Sequence, residues 1–211
     1  VCGKTPRRMR LLYNILFPGF FLVAAPFYFW KLIRRGNWAE GFAQRFGAYG
    51  KLGQELKGER VLWLHAVSVG EANLAVQLVE VLRKEFGDWK YVVSTTTTTG
   101  MSVLRAKLPD SARAIYYPID WLPFVKSAFR ALNPSAIVLV EAEIWPNLFW
   151  EANRTKVPLS LVNARLSEKS FEGYRRFGFL FRPLFKSLKA VGAHNAIDAD
   201  RVASLGSARE I

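Results

Sequence analysis

Short apolar runs alternate with amphipathic stretches from residue 61 onward. Residues 61–66 form a short run typical of a strand buried on both faces, whereas 71–86 carries apolar residues at a helical period and ends before Gly87. The same patterns predict further strands at 91–94, 114–117, 136–140, 159–162 and 190–193. They predict helices at 101–108, 122–132, 146–156, 173–188 and 198–205. This alternation indicates an α/β fold, a Rossmann-like open parallel sheet with helices on both faces.

The amino-terminal part has a different pattern. Residues 11–30 are apolar and uncharged, and they are bracketed by cations on both sides: Lys4, Arg7, Arg8 and Arg10 before, and Lys31, Arg34 and Arg35 after. Twenty such residues predict a helical membrane anchor within 1–38 that either spans the bilayer or lies in one leaflet. Because Asn14, Pro18 and Pro26 interrupt the run, a buried core hairpin is the alternative. We expect 39–60 to be a linker and 61–211 to form the domain.

The positive charge is concentrated in the two ends of the sequence. The net charge is +13; residues 1–60 hold 11 Lys/Arg against 3 Asp/Glu, 61–150 hold 8 against 8, and 151–211 hold 11 against 6. Basic flanks suit nucleic acid, an anionic membrane or a phosphorylated substrate. Because no nucleic-acid motif is present and the aromatic residues lie in apolar runs, we expect an anionic membrane surface as a partner and no nucleic acid.

An open parallel sheet binds its ligands beyond the carboxyl ends of its strands. Those positions are unusually polar in this sequence, so they are the candidate site. The predicted substrate-binding residues there are Ser68, Gly70, Thr97, Thr98, Gly100, Glu141, Glu143, Asn163 and Arg165, together with Glu71 as the predicted catalytic residue.

Glu71 has two interpretations. In the first turn of a helix, a carboxylate stabilises the exposed amides and the positive end of the dipole. A cap does not need the small Gly70 before it, however, and Gly70 would let a ligand approach the backbone closely. A carboxylate kept ionised at a helix start also suits a proton acceptor, so a general base is the sharper hypothesis.

Other chemistry has weaker support. One glycine in VSVGEA falls short of the three in a dinucleotide fingerprint, and a single cysteine with two histidines makes a metal cluster improbable, so we expect neither cofactor nor metal. The five threonines before Gly100 are either a strand extension or a set of hydroxyls for sugar or phosphate oxygens. If the strand persists, Glu141 and Glu143 point to opposite sides and only one reaches the site. We expect His65 to be a core residue.

Four blocks of sequence carry a resemblance to a known family. LHAVSVGE, STTTTTG, VEAEIWPNL and PLSLVNARLSEKSFEGY, in this order and spacing, resemble the amino-terminal half of the Kdo (3-deoxy-D-manno-octulosonic acid) transferases of lipopolysaccharide biosynthesis. The resemblance implies a two-domain GT-B glycosyltransferase at the cytoplasmic face of the cell inner membrane. It implies transfer of Kdo from CMP-Kdo to a lipid A precursor (lipid IVA), inverting and metal-independent, with Glu71 as the base on the acceptor hydroxyl. Arg165 is then a candidate cation for acceptor phosphates or the donor carboxylate.

The sequence starts at Val1 and stops at LGSAREI, where the family continues into its donor-binding domain. We therefore expect an acceptor-binding half that is inactive alone, since Glu71 would face an empty donor site. The alternative is a non-catalytic, membrane-associated lipid-binding or scaffold domain.

Overall fold

The computed structural model describes residues 6–34, 39–141 and 143–207, and within them a single sheet of six parallel strands. The strands are β1 (Val61–His65), β2 (Lys90–Thr95), β3 (Ala112–Tyr116), β4 (Pro134–Val140), β5 (Leu159–Ala164) and β6 (Val191–Ala193). Their spatial order is β3-β2-β1-β4-β5-β6, with every neighbouring pair parallel. The predicted Rossmann-like sheet is therefore confirmed.

Helices connect these strands, and most lie within a few residues of the predicted bounds. They are α1 (Arg7–Arg34), α2 (Phe42–Arg45), α3 (Gly50–Glu55), α4 (Val69–Glu85), α5 (Thr98–Lys107), α6 (Leu122–Leu132), α7 (Pro146–Thr155), α8 (Glu168–Arg176), α9 (Gly178–Phe185) and α10 (Ala196–Ser204). The single helix predicted at 173–188 is wrong, because the chain leaves helical geometry at Phe177 (φ −99°, ψ 35°). Tyr174 and Phe185 pack into the same core on either side of the break, which is why the apolar period continues through it.

The two faces of the sheet are covered by different helices. Val61 and Trp63 belong to a core shared with α6, α7 and α9, whereas Leu62 and Leu64 belong to a second core with α4 and α5. Successive residues of a strand point to opposite faces, so both faces of β1 are buried. This accounts for the continuously apolar run and confirms helices on both faces.

The predicted linker at 39–60 carries α2 and α3 and packs against the domain. Tyr49 and Leu56 are buried in the first core, and the Tyr49 hydroxyl donates to the carbonyl of Tyr116 at 2.9 Å. Arg45 is also buried; it donates to the carbonyl of Thr96 at 2.9 Å and lies over the Tyr116 ring at 4.2 Å. This stretch therefore supports the carboxyl ends of β2 and β3.

The amino-terminal segment forms one continuous helix, so the core-hairpin alternative is wrong. α1 runs through Pro18 and Pro26, and many of its large apolar side chains are exposed, with Phe20 at 73% and Val23 at 83%. Within the described ranges, no helix combines the length and apolarity needed to cross a membrane. Attachment of this segment to a membrane stays a prediction.

Candidate functional site

The strand order changes direction between β1 and β4, which makes the carboxyl ends of these two strands the crevice of the sheet. β1 is followed by Ser68 and Glu71, and β4 by Glu141 and Glu143. The predicted residues that follow β1 and β4 therefore lie at the place where an open α/β sheet binds its ligand.

Glu71 lies in the first turn of α4 and closes a capping box with Ser68. Its carboxylate accepts the N–H of Val67 at 2.7 Å and that of Ser68 at 3.2 Å, while the Ser68 hydroxyl accepts the N–H of Glu71 at 3.2 Å. The residue is only 6% exposed. The capping interpretation is thus confirmed. A carboxylate has about four lone-pair sites and the amides use two, so a proton can still be accepted; the role as general base stays a prediction.

The threonine-rich loop after β2 is tied to the loop after β1. The hydroxyls of Thr95 and Thr97 both donate to the carbonyl of Val67, at 3.2 and 2.7 Å, and Thr97 caps α5 by accepting the N–H of Gly100 at 3.1 Å. β2 ends at Thr95 and α5 begins at Thr98, so the strand-extension interpretation is wrong. Val67 is consequently held through its N–H by Glu71 and through its carbonyl by two threonines. Substrate binding by Thr97 and Thr98 stays a prediction.

The two glycines of the candidate site have different surroundings. A Cβ on Gly100 would lie 2.6 Å from Thr95 Oγ1 and 2.8 Å from Thr97 Oγ1, so only glycine fits against this loop. A Cβ on Gly70 would meet only Ser68 Oγ, at 3.8 Å. Gly100 therefore has a packing role, whereas Gly70 presents open backbone at the start of α4, as a ligand contact requires.

The charge of Glu71 affects the pKa values of both Glu141 and Glu143. β4 ends at Val140, so the alternation expected for a continuing strand does not apply to them. Burial, followed by the negative charge of Glu71, raises the pKa of Glu143 to about 7. The same two causes raise the pKa of Glu141. Three carboxyl groups therefore lie at the switch point, and at neutral pH one of them is close to its titration midpoint.

The backbone has left-handed geometry at two of the predicted residues. Among the described residues, four other than glycine have positive φ: Asn133, Glu141, Lys156 and Asn163. Asn133 and Lys156 end α6 and α7, where left-handed geometry is ordinary. Glu141 (φ 61°) and Asn163 (φ 52°) instead lie at the carboxyl ends of β4 and β5. Asparagine tolerates this geometry, whereas for glutamate it costs about 1–3 kcal/mol, and strain of this kind is concentrated at functional sites.

His194, which was not among the predicted site residues, also lies at this edge of the sheet. Its Nδ1 lies 3.1 Å from Asn163 Oδ1 and 3.4 Å from Arg165 Nη2. The charges of Arg165 and His194 also oppose the rise in the pKa of Glu141. His194 follows β6 directly, so extending the list of strand ends to the sixth strand would have found it.

A cavity of about 340 Å³ opens beside His194. Arg165, His194 and Arg201 line it, and Arg201 is positioned by donating to the carbonyl of Leu166 at 2.6 Å. Asp198 also lines the cavity and accepts the N–H of Leu166 at 2.9 Å. The basic side chains suit an anionic group of a substrate.

His65 is buried, as expected. Its Nδ1 lies 2.9 Å from the Ser94 hydroxyl, and its ring contacts the Tyr117 ring at a tilt of 30°, with centroids 4.1 Å apart. Burial lowers the pKa of His65 to about 3, so the imidazole is neutral at physiological pH. In the part of the chain that the structure describes, no group of three His, Cys, Asp or Glu side chains is arranged to hold a metal ion.

The proximity of the carboxyl groups leads to a testable prediction. Replacing Glu71 with glutamine removes a negative charge, so the pKa values of Glu141 and Glu143 should both fall. Carbon-13 NMR titration of the carboxyl groups measures this directly. Glu80→Gln, on the outer part of the same helix, should leave both pKa values unchanged. If the pKa of Glu143 stayed the same in the Glu71→Gln variant, the three carboxyl groups would not interact as described.

Comparison with known sequences places this site in a family. A family model described as 3-deoxy-D-manno-octulosonic-acid transferase (Kdo transferase) matches residues 40–211, which include every predicted site residue. The chain belongs to the Kdo transferase family. The predicted resemblance is therefore confirmed, and α1 precedes the matched range.

Relatives of the chain agree with this assignment. A 3-deoxy-D-manno-octulosonic acid transferase of Rickettsia bellii is 33% identical over 146 residues, 69% of this chain and 35% of that protein. One from Chlamydia trachomatis serovar D is 33% identical over 174 residues, 81% of this chain and 39% of that protein. A bifunctional glycosyltransferase/methyltransferase of Fusobacterium nucleatum is 32% identical over 162 residues, 74% of this chain and 24% of that protein. The chain spans well under half the length of these relatives.

Proposed function

We propose that the full-length protein transfers Kdo from CMP-Kdo to a hydroxyl of a lipid A precursor, with this chain supplying the acceptor site. Membership of the Kdo transferase family carries the proposal. The position of Glu71 at the switch point of the sheet supports it. The acceptor is lipid IVA, the reaction takes place at the cytoplasmic face of the inner membrane, and the donor site lies in a second GT-B domain outside this chain.

In the proposed step, Glu71 accepts the proton of the acceptor hydroxyl while that oxygen attacks the anomeric carbon of Kdo. A new C–O bond forms, the bond between the anomeric carbon and the phosphate oxygen breaks, and CMP leaves with the electron pair. Attack opposite to the leaving group inverts the anomeric configuration. Arg165, His194 and Arg201 stabilise anionic groups of the substrates beside this centre.

A transfer assay on the full-length protein tests the proposal. With CMP-Kdo and a tetra-acylated lipid A precursor, mass spectrometry should show the acceptor heavier by one or more Kdo residues and CMP released in equal amount. A CMP-activated sugar other than Kdo serves as the control donor. Absence of Kdo from the lipid, with intact enzyme and donor, would contradict the proposal.

One observation favours the second candidate, a non-catalytic lipid-binding or scaffold domain. The capping box gives Glu71 a structural role that needs no chemistry. The two candidates differ in what a substitution at Glu71 does to transfer, since a scaffold needs only the cap.

A further inference from the structure

An apolar groove lies between α1 and the domain. Its cavity is about 240 Å³ and all eight lining residues are apolar, five of them aromatic. Four of these residues belong to α1 and form one wall: Phe17, Pro18, Phe21 and Leu22. Phe46, Trp121 and Phe124 are among the residues of the opposite wall. A polar ligand would lose its hydrogen bonds to water here without replacement, so the occupant must itself be apolar.

The α1 wall is held in place by polar contacts one turn before Phe17. The Tyr13 hydroxyl donates to the buried carboxylate of Asp120 at 2.9 Å, and Asn14 exchanges side-chain hydrogen bonds of 3.0 and 3.1 Å with Asn147. The backbone N–H of Leu122 also donates to Asn14, at 3.1 Å. Buried networks of this kind fix one geometry, so the groove is a built feature of the fold.

The groove lies on the same edge of the sheet as Glu71. Ile119 and Trp121, in its wall, follow the carboxyl end of β3. Arg45, next to the lining residue Phe46, donates to the carbonyl of Thr96 within the loop whose threonines hold Val67. A short series of contacts therefore connects the wall of the groove to the loop that holds the candidate base.

The small volume of the groove and its lack of hydrogen-bonding groups limit what can occupy it. At 240 Å³ it is smaller than the pockets of about 300–1,000 Å³ that enclose drug-sized ligands, and too small to enclose a peptide helix of about 10–12 Å diameter. An extended peptide would bring amide groups that this lining cannot pair. A hydrocarbon chain brings no polar group.

The surroundings of the groove match a chain attached to an anionic head. Exposed apolar side chains of α1 continue from its rim, with Leu22 at 72% and Val23 at 83% exposure. α1 contains no acidic residue, and Arg7, Arg8 and Arg10 lie in its first turn. Apolar surface beside cations is the arrangement that binds anionic amphiphiles. We propose that the groove holds one fatty acyl chain of the glycolipid acceptor, an inference that rests on the proposed function.

Two matched substitutions on α1 test the proposal in the full-length protein. Leu22→Asp places a charge at the rim of the groove, whereas Val23→Asp makes the same change on the neighbouring exposed residue outside it. Leu22→Asp should raise KM for the tetra-acylated acceptor at least tenfold, and Val23→Asp should change it less than threefold. With a fully deacylated acceptor, both variants should match the wild type. Equal effects of the two variants would indicate general membrane contact and overturn the proposal.

A binding measurement separates this proposal from the transfer activity. A brominated fatty acid quenches tryptophan fluorescence on contact, and Trp121 lines the groove. Titration of the wild-type full-length protein with dibromostearic acid should quench the fluorescence of Trp121. The Trp121→Phe and Leu22→Asp variants should lose this part of the quenching. Quenching without Kdo transfer would support binding of an acyl chain in the groove but refute the proposed function. Kdo transfer without quenching of Trp121 would refute the proposal that the groove holds an acyl chain.

Discussion

Replacing Glu71 with glutamine in the full-length protein is expected to reduce kcat/KM for Kdo transfer by about 10²–10⁴-fold. Glutamine retains one oxygen, which can accept one of the two amide N–H groups that Glu71 binds, whereas its NH2 group leaves the other amide without this acceptor. Capping boxes use glutamine as well as glutamate. It cannot take up the proton of the acceptor hydroxyl. The substitution therefore separates the two roles of Glu71: the helix start should persist, with a change in unfolding free energy of no more than about 1–2 kcal/mol, while the transfer rate falls.

Steady-state kinetics and urea unfolding of the same preparations check this result. Glu80→Gln is the matched control, because Glu80 pairs with Arg83 on the outer face of α4, and it should alter neither quantity appreciably. If Glu71→Gln transferred Kdo at the wild-type rate, Glu71 would be a cap alone and the scaffold alternative would gain support.

Adding a single methyl group at Gly100 is expected to have the second largest effect. In Gly100→Ala the new Cβ would lie within 2.8 Å of the Thr95 and Thr97 hydroxyls, and both hydroxyls bond the carbonyl of Val67. Relieving the clash displaces the loop that holds Glu71. We expect a loss of about 1–3 kcal/mol in unfolding free energy and about 10²-fold in kcat/KM.

Gly173→Ala provides the matched control for the substitution at Gly100. Gly173 lies within α8, and nothing would approach its Cβ within 4 Å. Alanine there should be neutral or stabilise by up to about 1 kcal/mol through helix propensity. Chemical denaturation and the transfer assay measure both variants, and wild-type activity in Gly100→Ala would show that the loop is not needed to position Glu71.

The fold could be predicted because the positions that are buried in each strand or helix are apolar and recur at that element's period along the sequence. β1 is apolar on both faces, and α6 was predicted with its observed bounds of Leu122–Leu132 because its apolar positions follow one helical face. The break at Phe177 could not be predicted, since the residues on both sides face the same core. Local apolar patterns report which face is buried, but they do not report where the axis changes direction.

The grouping of the candidate residues at one edge of the sheet could be predicted, but not the hydrogen bonds among them. Listing polar residues after strands brought Glu71, Glu141 and Glu143 together correctly, because parallel strands end at one edge. The bonds of Thr97 to Val67 and of Arg45 to Thr96 join residues 30 and 51 positions apart, and nothing local in the sequence records them. His194 was missed for a different reason: it follows β6 directly, and the residues after that strand were not included among the candidates.

The two amide hydrogen bonds to the Glu71 carboxylate limit the direction from which an alcohol can react. The N–H groups of Val67 and Ser68 each occupy a lone pair, one on each carboxylate oxygen, so only the remaining lone pairs can receive a proton. An alcohol arriving along another trajectory finds no basic lone pair, however tightly the rest of its molecule is bound. Regioselectivity among the several alcohols of a sugar acceptor would then be governed by backbone amides rather than by the size of the pocket.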